Sequence, residues 1–384
     1  MKKDTLTTHA ARDTTLSRGL VNPPVFRGST VLFDDLARYE SRDADDYKTM
    51  RYGIHGTPTT FALEEALARL EGAHASVALP SGLAAITAAL MAYTRAGSHI
   101  LVTDSAYGPC RQFCDRRLVR YGVAVEYYDP LIGAGIERLL RPETALVYCE
   151  APGSLTFEMQ DIPAIAAAAH ARGIPVLADN TWGTPYFFRA FERGVDVSIH
   201  AGTKYIAGHS DVLLGAIATN EANWLPVRRA VADLGYCVSP DDCYLALRGL
   251  RTIGVRMRHQ MQSALTIARW LERRPEVARV LYPALESDPG HAIWRRDFDG
   301  AASLFALILE PVPEQRVAAM IESLRWFGIG SSWGGYESLA IRAQPRRSAT
   351  LWDPGGPLVR LHIGLEDPDD LIADLEQGLA RLHG

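Results

Sequence analysis

Apolar residues in this chain fall into two kinds of run, and the two alternate. From Phe61, Leu63, Ala66, Leu67 and Leu70 recur at helical spacing, Glu64 and Glu65 suit a positive helix start, and Gly72 marks the stop. Val77-Ala78-Leu79 then reads as a strand and Leu83 to Tyr93 as a buried helix. Ile100-Leu101-Val102, Ala145-Leu146-Val147-Tyr148, Val176-Leu177-Ala178, Val195 to Ile199 and Ala216-Ile217-Ala218 are further strand candidates, and Ile162 to Ala171 fills one gap as a helix. This rhythm predicts an α/β fold: a mostly parallel central sheet with helices on both faces and ligands at the carboxyl ends of its strands.

After about Leu250 the rhythm changes. A helical stretch around Leu265, Ala268 and Leu271 precedes a strand at Leu304 to Leu309, a helix at Val317 to Leu324 and a strand at Val359 to Ile363. Leu371, Ile372, Leu375, Leu379 and Leu382 form the apolar stripe of a closing helix. Three units are therefore expected: an arm over 1–55, too polar to build a core of its own and so laid on a neighbour, a ligand-binding domain over 56–250, and a smaller α/β domain over 251–384.

Composition narrows the function classes. The net charge of −5 argues against a sequence-independent grip on nucleic acid, which needs a basic footprint. No apolar stretch reaches about 18 residues, so no membrane span is expected. The start, Met1-Lys2-Lys3-Asp4, leads into polar sequence without the apolar run of a signal peptide. The five cysteines are odd in number and lack C-x-x-C spacing, which suits reduced thiols in a cytoplasm better than a disulfide framework or a zinc site.

Candidate chemistry gathers at the predicted strand ends. Lys204, in His200-Ala201-Gly202-Thr203-Lys204-Tyr205, stands in a glycine-containing turn directly after a strand. Taken alone it reads as a loop lysine. Asp179, twenty-five residues earlier, closes another buried strand and taken alone reads as a helix cap. Together they form the pair that pyridoxal phosphate requires: a lysine for its aldehyde and an acid facing its pyridine nitrogen. Ser81-Gly82-Leu83 opens an apolar helix after a strand, where free backbone amides and the helix dipole favour a phosphate; a serine cap with a close-packing glycine is compatible. Tyr107 follows the next strand, where an aromatic ring covers a planar cofactor, although a loop tyrosine is commonplace.

The run Ser198 to Asp211 resembles the cofactor-lysine motif of the Cys/Met-metabolism family, fold-type I pyridoxal-phosphate enzymes with an aspartate-aminotransferase-like fold. Ser331-Ser332-Trp333-Gly334-Gly335-Tyr336-Glu337-Ser338-Leu339 and Leu358 to Asp367 are similar to the bacterial β-lyase branch, and the likeness runs from about Asn22 to the C-terminus. The resemblance implies α,β-elimination of L-cystathionine, a small amino-acid substrate, and a homotetramer built as a dimer of dimers. It implies Lys204 as the cofactor lysine, Asp179 as the pyridinium partner and Tyr107 as the stacking ring. Gly82 and Leu83 would hold the phosphate through their amides and Thr203 through its hydroxyl. Arg360 would clamp the substrate carboxylate, Ser332 and Trp333 would line the pocket, and Tyr52 would reach a neighbouring subunit's site. Open alternatives are γ-synthase or γ-lyase chemistry on the same fold, a broad cysteine desulfhydrase, and a cofactor-binding regulator without turnover. One departure stands out. The family commonly has an arginine two residues after the tyrosine to bind phosphate, and this chain reads Tyr52-Gly53-Ile54-His55.

Overall fold

The computed structural model describes residues 1–13, 15–41 and 47–383; residues 14 and 42–46 of the expected arm, and residue 384, lie outside them. The first sheet is built from β1 (Ala75–Leu79), β2 (His99–Thr103), β3 (Ala124–Tyr128), β4 (Thr144–Glu150), β5 (Val176–Asp179), β6 (Val197–His200) and β7 (Gly215–Thr219). Their spatial order is β1-β7-β6-β5-β4-β2-β3, and only β7 runs against its neighbours. Buried at every position, β1, β2, β5, β6 and β7 carry mostly apolar or small residues, with His99, Asp179 and His200 at strand ends, as strands covered by helices on both faces do. The carboxyl ends of β1, β2, β4, β5 and β6 therefore open on one edge of the sheet.

The second sheet comprises β8 (Val277–Leu281), β9 (Leu304–Leu309), β10 (Phe327–Gly328), β11 (Ser338–Ala343) and β12 (Leu358–His362), in the order β10-β11-β12-β9-β8. It is antiparallel except for the short β10–β11 pair. The helix Ile253–Leu271 and the closing helix Pro368–Leu379 pack against each other beside this sheet. Leu371, Leu375 and Leu379 on the latter are fully buried, the stripe its spacing predicts.

Two expectations need correction. The helix expected from Phe61 starts at Pro58, with proline at the first helical position after Thr57, where a missing N–H is harmless. Glu64 and Glu65 thus lie in its second turn, and Glu64 turns inward to accept the Ala78 amide at 2.9 Å. The strand Ala124–Tyr128 was not foreseen, because Glu126, Tyr127 and Tyr128 interrupt its apolar pattern at the sheet's edge. The beginning of the N-terminal arm is tied to its own chain. The helix Lys3–His9 is held by Asp4, which accepts from Tyr186 and Arg258, and by Arg251, which donates to the carbonyls of Thr7 and Ala10 at 2.8 Å.

Candidate active site

The strand ends of the first sheet and the edge of the second enclose a cavity of about 420 Å³. Ser81, Gly82 and Leu83 enter it from the end of β1, Tyr107 from β2, Glu150 from β4, Asp179 from β5, and Thr203 and Lys204 from β6; Ser331, Trp333 and Arg360 face them from the second sheet. The helix Gly82–Met91 begins here. The Ser81 hydroxyl accepts the Ala84 amide at 3.1 Å and the Ser81 carbonyl accepts that of Ala85, so the amides of Gly82 and Leu83 precede the helical ladder and suit an anion. Glycine is required at 82, where a Cβ would stand 2.5 Å from that of Ala201. The helix start thus passes directly over the turn that carries Lys204.

Gly334 closes on that turn from the other side. Its φ of +81° is left-handed, and a Cβ would lie 2.8 Å from the Tyr205 amide nitrogen and 3.0 Å from the Lys204 Cα. His362 fixes the Gly334–Gly335 turn: its Nε2 accepts the Gly334 amide at 3.1 Å, which leaves the proton on Nδ1, facing Ser303 Oγ at 3.2 Å. Burial pushes this imidazole down to about 3, helped by the charges of Arg360 and Lys204, so it is neutral.

Lys204 Nζ donates to Ser332 Oγ at 2.7 Å and lies 5.2 Å from the centre of the Trp333 ring. Burial, then the Arg360 guanidinium, lower the amine to about 8, against the pull of Asp179. Arg360, on β12, donates to the Ser332 carbonyl at 3.1 Å and, though burial brings it to about 10, stays cationic at neutral pH. Asp179 accepts the Thr181 amide at 3.0 Å and the Tyr148 hydroxyl at 3.4 Å. Among the described residues it forms no ion pair with a cation, and burial pushes its carboxyl up. A buried acid without a cationic partner, set across a cavity from a depressed lysine and a free helix start, fits a cationic ring carrying an aldehyde and a phosphate.

The model of the Cys/Met metabolism PLP-dependent enzymes matches residues 4–380. The chain belongs to this family. A putative cystathionine β-lyase of Rhizobium johnstonii is 51% identical, the match covering 98% of this chain and 96% of that one. Cystathionine β-lyase MetC of Escherichia coli is 41% identical over 99% of both. The crystal structure of metB from Corynebacterium glutamicum superposes with a TM-score of 0.91 at 30% identity, covering 100% of this chain and 99% of that one. The cofactor of the family is pyridoxal phosphate, and the fold is that of its fold-type I members.

Within this family member, the cavity unites Gly82, Leu83, Tyr107, Asp179, Thr203, Lys204, Trp333 and Arg360, with Ser332 behind the Lys204 amine. Tyr52 is not among them. It is half exposed in a separate hollow lined by Thr30, Val31, Tyr39, Glu40, Arg51 and His55. The Thr203 hydroxyl donates to the Leu214 carbonyl at 3.2 Å and accepts the Leu214 amide at 2.9 Å, so its proton points away from an anion. Sequence reasoning passed over Glu150 and Tyr148. Glu150 carried the same signal as Asp179, an acid closing a buried strand; a phenol in mid-strand such as Tyr148 carries none.

Proposed function

We propose that the chain catalyses the α,β-elimination of L-cystathionine, with water, to homocysteine, pyruvate and ammonia. The observation that carries this reading is the placement of Lys204, Asp179 and Arg360 on three walls of one cavity. The relatives named cystathionine β-lyase, at 41% and 51% identity over nearly the whole chain, support the substrate. Pyridoxal phosphate, when bound, supplies an electron sink for charge arising at the substrate Cα.

The residues of the chain do the remainder. Asp179 would keep a proton on the pyridine nitrogen by offering its carboxylate, and that cation would relieve the cost of burying the acid. The amides of Gly82 and Leu83 bind phosphate, and the Tyr107 ring covers one face of the site. Arg360 takes the substrate carboxylate through charge-assisted bonds. Lys204 would hold the cofactor's aldehyde and, as a free amine whose proton affinity burial and Arg360 lower, would take the proton from Cα. Ser332 holds the Lys204 amine on that side, and Trp333 screens it from water.

The same reading covers assembly and location: a homotetramer built as a dimer of dimers in the cytoplasm, with 1–55 as an arm, 56–250 as the cofactor domain and 251–384 as the smaller domain. Exposed Leu16, Leu20, Val21, Leu32 and Leu36 on the arm, and Tyr52 turned outward, support an intersubunit role for that segment. Light scattering gives the subunit number. Incubation with L-cystathionine tests the reaction. Pyruvate and homocysteine are expected; 2-oxobutyrate with cysteine would mean γ-elimination, hydrogen sulfide from cysteine alone a desulfhydrase, and no turnover a binding protein.

A further inference from the structure

Glu150 is the charged residue of the cavity without a part in the chemistry above. It ends β4, and its Cα is paired in register with Asp179, the last residue of the parallel neighbour β5. Residues in register on adjacent strands project from the same face, so the two carboxyls stand side by side at the cavity floor. The Glu150 backbone is pinned: Gln160 Nε2 donates to its carbonyl at 2.7 Å and to Thr103 Oγ1, at the end of β2, at 3.0 Å. Its side chain then reaches across β2, where Oε2 accepts the Tyr107 backbone amide at 2.6 Å. Tyr107 stands at the mouth of the loop after β2, immediately before the short helix Gly108–Phe113, so its amide has no partner in that helix.

We propose that Glu150 is the positioning residue for Tyr107: its carboxyl, anchored on the cavity floor, grips the Tyr107 amide and thereby sets the height and tilt of the tyrosine ring over the cofactor. The titratable and charged groups around it are Asp179 on β5, Tyr148 on β4, Cys110 and Tyr107 from the segment after β2, with Arg360 facing Tyr107 from β12. Burial, and then the neighbouring Asp179, raise the Glu150 carboxyl well above the usual range. The two neighbouring carboxyls oppose each other's ionisation, and a cationic ring beside Asp179 would favour the charge on that acid. A carboxyl oxygen that only has to accept an amide proton is replaceable by a carboxamide of equal length, which makes the idea testable by chemistry rather than by bulk.

The inference rests on the elimination reading for its kinetic arm alone. Glu150→Ala, Glu150→Gln and Glu150→Asp are compared with wild type as holoenzymes, by visible circular dichroism of the bound cofactor and by kcat and KM for L-cystathionine. Losing one hydrogen bond of about 0.5–1.5 kcal/mol at the stacking ring should lower kcat by roughly 2- to 13-fold in Glu150→Ala, with little change in KM, and diminish the cofactor's dichroic band. Glu150→Gln should recover most of both signals. Glu150→Asp, one carbon too short to reach the amide, should behave as the alanine variant does, and it stands in for that variant should alanine not fold. Equal behaviour of the glutamine and alanine (or aspartate) variants, both intact or both impaired, overturns the proposal. If wild type does not turn over cystathionine, the proposed reaction fails, while the dichroic comparison still decides the role of Glu150.

Discussion

At Lys204, burial and the Arg360 guanidinium favour the neutral amine and Asp179 opposes them. With its pKa brought from 10.5 to about 8, the amine of the cofactor-free protein is mostly neutral above that pH and mostly protonated below it. Only the neutral form condenses with an aldehyde, so stopped-flow uptake of pyridoxal phosphate should rise with pH and level off just above 8. A rise centred near 10 would mean an unperturbed lysine, and Lys204→Ala should abolish the absorbance of covalently held cofactor. Arg360 acts differently. A two-bond clamp at about 1.5–3 kcal/mol per charged bond predicts a loss of roughly 10²–10⁴-fold in kcat/KM for Arg360→Ala, and wild-type kinetics would remove the clamp from the site. His55, next to Ile54, is the neighbouring side chain that could stand in for the family arginine. Burial, then Arg51 and Arg228, push His55 down, which disfavours the charged form that a phosphate would call for. Ile54→Arg is therefore expected to tighten cofactor binding by roughly 10- to 150-fold, the equivalent of one charged bond. Apo titrations in which Ile54→Arg binds no better and His55→Ala much worse would restore the histidine.

At the scale of elements, the site is a turn clasped between two others. The Lys204 turn sits below the helix start at Gly82 and above the Gly334–Gly335 turn held by His362. Each approach depends on a missing Cβ. Gly334→Ala should both strain a left-handed residue and push the Lys204 backbone, costing about 1–3 kcal/mol and loosening the cofactor. Gly97, at φ +87° with open space around its Cα, provides the comparison: Gly97→Ala should lose stability while cofactor affinity stays at the wild-type value. Equal cofactor affinity in the two variants would show that the close contact does not matter. A second tie joins the halves. Asp104, after β2, accepts the amides of Ser348, Ala349 and Thr350 at 2.9–3.1 Å and pairs with Arg111, fastening a loop of the second sheet beside Tyr107.

At the scale of the whole molecule, the buried His362 couples the junction of the two sheets to acid. Its folded pKa of about 3 lies below the value near 6.5 of an unfolded histidine. Between these values the unfolded chain binds a proton that the folded chain refuses, so stability is lost as pH falls below about 6.5. Lowering the pH from 7 to 5 should remove roughly 2 kcal/mol through this residue, at about 1.4 kcal/mol per unit. His362→Asn, less stable at pH 7, should show a flatter decline. Denaturant midpoints at the two pH values check this, and identical declines would place the acid sensitivity elsewhere.

The strands at Val77, Ile100, Ala145, Val176 and Ala216 and the helices from Leu83 and Ile162 were legible in the sequence, because strands buried on both faces are apolar nearly throughout and the runs between them are apolar too but long enough for a helix. The placement of the candidate pair Lys204 and Asp179 was legible for a related reason: a polar residue closing a buried strand stands at the ligand end of a parallel sheet. The sequence did not reveal that Asp179 has no cationic partner among the described residues, that Thr203 spends its hydroxyl on Leu214, or that Glu150 grips Tyr107. Those facts depend on contacts between residues 11, 43 or more positions apart, or on the absence of any, and local pattern carries no record of either. Sequence determined which residues reach the strand ends; the packing of one sheet's edge against the other decided which of them meet, how far each is stripped of water, and so which hold charge.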